Sequence, residues 1–222
     1  PKALKDKTLL PPVLEVYVIW HPRDSGGEAI AREMVDHFHG TAFTGLMGGA
    51  IEVFVRSAGW ASPDDAPRPV PSSASPLPNS VERAKYTAIV PLLGNEMAAD
   101  VQRPANPWRA YIGQLLENAR SSPGDTWIFP YAIDPGSTDN THLGELLGGI
   151  QRIAQGAPSE GDSVGDMRCR DLAQGIAQSM RPEGDRRLTV FISHTKKAAP
   201  GAEEDTASLI TTVQSLIGET RL

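Results

Sequence analysis

With 222 residues, 40% hydrophobic and 22% charged, the chain has the make-up of a globular protein able to bury a sizeable core. A net charge of −6 argues against a general nucleic-acid or anionic-membrane binder, which needs a basic surface. The single cysteine, Cys169, leaves no internal disulfide and no thiolate metal cluster, and fits a reducing, cytoplasmic setting. No apolar run approaches the roughly 20 residues that span a bilayer. The chain opens at Pro1 with neither a methionine nor a signal-like segment, which predicts a piece cut from a longer protein.

Residues 1–12 are basic, end in Pro11-Pro12 and read as a flexible N-terminal arm. Val13 to Trp20 is nearly continuous in apolar residues, as a strand covered on both faces must be. The turn-rich loop His21-Pro22-Arg23-Asp24-Ser25-Gly26-Gly27 follows, then a helix with Ile30, Met34, Val35 and Phe38 on one stripe. Ile51 to Arg56 is a second strand. Six prolines between Ser62 and Asn79 predict a loop or mobile linker, because proline removes ladder donors and fixes φ. Val81 to Leu93 leads into a third strand centred on Thr87–Val90 and ending near Pro91.

Asn106-Pro107 predicts a helix start, a capping residue followed by proline at the first helical position. Trp108, Tyr111, Ile112, Leu115, Leu116 and Ala119 form its apolar stripe. Thr126 to Ile133 is a fourth strand. Leu143, Leu146, Leu147, Ile150 and Ile153 mark another helix, Gln155 to Asp166 a polar loop, and Cys169, Leu172, Ala173, Ile176 and Met180 a further helical face. Leu188 to Thr195 is a fifth strand running into Ser193-His194 and a helix from about Glu203 to Ile217. Strands alternating with helices predict an α/β fold, a flavodoxin-like three-layer sandwich with a mostly parallel five-stranded sheet.

Ligands of such folds settle at strand carboxyl ends, which makes His21, Arg23 and Asp24 ligand-binding candidates. Arg23 has the fork that grips a phosphate or carboxylate, with Asp24 to fix it. A solvated loop whose Asp24 caps the following helix is the simpler and preferred reading. Glu96, after the third strand, is either a working carboxylate or an exposed side chain. Trp108 stands beside this set, and an aromatic that fixes its helix on the sheet is again the preferred reading. Phosphate-loop, dinucleotide, zinc-protease and nucleophile-elbow signatures are missing. A receiver domain shares the topology, but the positions of its acids are His21-Pro22 and Gly94-Asn95. The five scattered histidines make no metal set.

Phe191-Ile192-Ser193-His194 is similar to the opening strand of a Toll/interleukin receptor (TIR) domain, and residues 13–180 resemble a bacterial-type TIR domain in the order of their pieces. In this resemblance Val53 to Asp65, with Trp60, is the second strand and the exposed loop used in self-association. Asn106-Pro107-Trp108 resembles the helix that carries tryptophan and, four residues on, the glutamate with which family members cleave NAD. Here that position is Ile112, which can neither accept a proton nor stabilise a cation, and Glu117 points elsewhere on the helix. The resemblance implies an interaction module of a bacterial immune or stress-response protein, associating with other TIR domains as a homo-oligomer and lacking NAD cleavage. Two alternatives stay open: an NAD glycohydrolase with a displaced carboxylate such as Glu96, or a sensor that binds nucleotide without turnover. In both, NAD is ligand or substrate; no cofactor, metal, nucleic acid or membrane is required. Residues 13–182 form the TIR-like domain; 183–222 either complete it or open a second one.

Overall fold

The computed structural model describes residues 12–40, 43, 51–59, 61–62, 65–71, 84–150, 152–153 and 163–180. The chain separates into two units, Pro1–Met180 and Arg181–Leu222. The strand and helix expected over 188–217, the arm over 1–11 and Trp60 lie outside the described residues.

Within the first unit, strands β1 (Leu14–Trp20), β2 (Ile51–Arg56), β3 (Tyr86–Leu93), β4 (Thr126–Ile128) and β5 (Tyr131–Ala132) form one parallel sheet in the order β2-β1-β3-β4, with β5 also on β3. Helices α1 (Gly27–Phe38), α2 (Asn95–Gln102), α3 (Pro107–Ser121), α4 (His142–Leu147) and α5 (Val164–Ser179) cover it. The period of two along β1 and β3 explains why both faces are apolar. Val16, Val18, Ala88, Val90 and Leu92 meet Ala31, Met34 and Phe38 of α1 and Cys169, Leu172 and Ile176 of α5. Tyr17, Ile19, Ile89 and Leu93 meet Met97 and Val101 of α2, Trp108, Ile112 and Leu115 of α3, and Leu143 and Leu147 of α4. The result is an α/β three-layer sandwich of the flavodoxin-like class, with one core on each side of the sheet. No helix of the described residues is long and apolar enough to cross a membrane.

Four boundaries differ from expectation. The strand expected to end near Pro91 runs on to Leu93. The carbonyls of Ile89 and Leu93 accept from Phe129 and Ile133, at 2.8 Å each, so the odd-numbered residues of β3 turn their polar backbone toward β4 and β5. Pro91 therefore has its missing N–H opposite the break at Phe129-Pro130, where no ladder bond is lost. That same break splits the expected strand 126–133 into β4 and β5. The fifth strand of the described sheet is thus the two-residue β5.

The helix expected over 143–153 stops at Leu147, before Gly148-Gly149, and Ile153 N–H instead donates to the Pro130 carbonyl at 3.0 Å. The expected loop over 155–166 ends earlier, because Ser163 Oγ accepts from Asp166 N–H at 3.0 Å and starts α5. The proline-rich stretch forms no helix or strand over its described part, yet it is tied down. Val70 is buried, and the carbonyls of Arg68 and Val70 accept from Tyr111 Oη (3.3 Å) and Asn118 Nδ2 (3.5 Å).

Candidate strand-end site

β1 ends at Trp20 and hands the chain to His21, whose side chain is fully buried beneath Trp108, with ring centres 4.9 Å apart. Trp108 opens α3, where Asn106 Oδ1 accepts from its N–H at 2.9 Å and Pro107 takes the first helical position. The imidazole is held at both nitrogens. Nδ1 accepts from Arg23 N–H (3.2 Å), so the ring proton sits on Nε2, which donates to Asp100 Oδ2 (3.2 Å). Arg23 Nη2 reaches the same carboxylate oxygen at 3.1 Å, and Arg103 Nη1 reaches Oδ1 at 3.1 Å. Asp100 is 2% exposed and engaged at both oxygens. Arg23 Nε also pairs with Glu96 Oε2 at 3.1 Å; with both side chains nearly half exposed, that pair contributes about 0–1 kcal/mol.

Asp24 is placed quite differently from the solvated cap expected. It is 6% exposed and leaves α1 alone: that helix starts behind Gly26, in the left-handed region at φ 88°, with no side-chain cap. Its carboxylate instead crosses to α2, accepting from Glu96 N–H on Oδ1 (2.8 Å) and Met97 N–H on Oδ2 (3.1 Å). Asp134 Oδ2 takes the Asn95 N–H at 3.1 Å. The first-turn amides of α2, which attract anions, are thus filled from within the chain. Gly94 permits the approach, since a Cβ there would fall 2.1 Å from Asp24 Cγ. Burial holds the Asp24 carboxyl above the ordinary carboxylate range, against the pull of the two amides.

The candidates His21, Arg23, Asp24, Glu96 and Trp108 therefore come together at one end of the sheet. Ile112, one turn past Trp108, does not join them; it is 1% exposed and belongs to the apolar core. Sequence reasoning missed Asp100, and with it α2. In Asn95 to Gln102 the apolar Met97, Ala98 and Val101 form a stripe that is buried, with Glu96 and Asp100 one turn apart, but the stripe lasts only eight residues. A shallow apolar groove of about 290 Å³ between Trp20, Glu28, Ala31, Arg32, Val35 and Val55 contains none of the strand-end residues. Cys169 is buried and its thiol is pushed up to about 11 by that burial, so it carries no nucleophilic role at neutral pH. Among the described residues no group of three His, Cys, Asp or Glu could hold a metal ion.

These residues define a parallel α/β domain whose strand-end site is occupied by its own side chains. Comparison of the chain with protein-family models, with curated proteins and with solved structures gives no match.

Proposed function

We propose that the chain works as a TIR-like interaction module of a bacterial immune or stress-response protein, associating with like domains and leaving NAD intact. The observation that carries this reading is Ile112, an apolar side chain packed in the core at the position where the resemblance expects a catalytic glutamate. The strand ends add support. Asp24 is spent on α2 amides and Asp100 on His21, Arg23 and Arg103, so neither carboxylate is held ready for a substrate. Association would run through the loop that bears Trp60.

Glu96 favours one alternative, an NAD glycohydrolase, because its side chain is nearly half exposed, unlike those of Asp24 and Asp100, and could approach a glycosidic carbon. Two measurements separate the readings. The full chain incubated with NAD is expected to release nicotinamide at the rate of a buffer blank; turnover that Glu96→Gln abolishes would establish the enzyme instead. Light scattering of the full-length protein is expected to show assembly that Trp60→Ala weakens, and unchanged assembly would remove that loop from the interface.

A further inference from the structure

β2 is an outer strand of the sheet, and its far side is open. It pairs with β1, and among the described residues no other strand lies along it. The Tyr86 N–H donates to the Val13 carbonyl at 3.1 Å, which turns the odd residues of β1 toward β3 and the even ones toward β2. With Val16 in register with Val53, the even residues of β2 bond to β1. Ile51, Val53 and Val55 therefore aim their N–H and C=O groups outward. The Val55 carbonyl agrees, since its partner is Arg56 Nη1, at 2.9 Å, rather than a strand. Val55 is also 46% exposed, beside the shallow apolar groove between α1 and β2.

An open edge of this kind is a template for another strand, and charges decide which strand it accepts. The charges here complement themselves. Glu52, Phe54 and Arg56 share the sheet face that carries Tyr17, by the period of two along a strand. Glu52 is exposed, and Arg56 lies against the rings of Tyr17 and Phe54 with its amino end at the open side. Among the described residues neither Glu52 nor Arg56 has an ion pair. Two copies of β2 laid antiparallel about a two-fold axis through Phe54 set Val53 opposite Val55, an outward-facing pair that can exchange both hydrogen bonds. The same register sets Glu52 of each copy opposite Arg56 of the other, twice per dimer. A slip of two residues either way opposes Phe54 to one of these charges and loses both ion pairs.

We propose that two copies of this chain join along β2 in this register, making one sheet across the pair. The inference rests on the association proposed above and gives it a contact surface, at the strand that leads into the Trp60 loop. Light scattering of the full chain should show a dimer that Glu52→Arg weakens at least about tenfold, and Arg56→Glu likewise, since each sets like charges opposite one another twice. Mixed in equal amounts, the two variants regain both ion pairs and should assemble with one another as tightly as wild type. Val55→Lys, at an exposed edge position, should keep the wild-type circular-dichroism spectrum and lose the dimer, and carries the test if Arg56→Glu fails to fold. Assembly unchanged by the single variants, or a mixture no tighter than its parts, would overturn the edge contact and leave association itself standing. A chain that stays monomeric at every concentration would overturn both.

Discussion

Replacing Asp24 by alanine is expected to destabilise the domain by about 2–4 kcal/mol, as two amides of α2 lose their acceptor where little water reaches them. The carboxylate is 6% exposed, and among the described residues no other side chain accepts from the Glu96 and Met97 N–H groups. Asp24→Asn keeps one acceptor oxygen and should lose about half as much. Urea unfolding checks both values.

Acid brings out a second signature. Burial raises the carboxyl's pKa in the folded state above its unfolded value, so the folded protein holds the proton more tightly. The stability this contributes is complete below the unfolded pKa and is lost as pH rises through the folded one. Wild type should therefore gain on Asp24→Asn as pH falls through that window, read as a widening difference in melting temperature. A constant difference would mean that the carboxyl is solvated as in the unfolded chain.

Asp100→Ala should cost about 2–3 kcal/mol, and the reason lies in which partner is stranded. Arg23 and Arg103 are 45% and 68% exposed at their side chains and can turn to water. His21 cannot: its side chain is fully buried beneath Trp108 and its Nε2–H has Asp100 as acceptor. Asp100→Asn retains an oxygen for that proton and should lose less than about 1.5 kcal/mol. Alanine and asparagine variants of equal stability in urea would show that the imidazole finds another acceptor.

Two strands and one capped helix show how much of this was readable. β1 and β2 fall where their apolar runs lie, and α3 begins at Asn106-Pro107 as its capping pair requires. These are local signals, set by side-chain period and by which residue can satisfy a free amide. α2 escaped because eight residues hold barely two turns, too little for a period to stand out from a loop. Pro91 misled for a related reason. A proline ends a strand only if its missing N–H faces a partner, and here it faces a break in the neighbouring strand.

The amino-acid order by itself determined the layered α/β class, the elements of the two cores other than α2, and the gathering of His21, Arg23, Asp24 and Trp108 near one strand end, since each follows from local period and parallel connection. Only the tertiary structure decided what those side chains are used for. Asp24 meets its amides 72 residues away, and His21 meets Asp100 79 residues away. Such pairings depend on how two separate βα units come to lie side by side, and no local pattern encodes that distance.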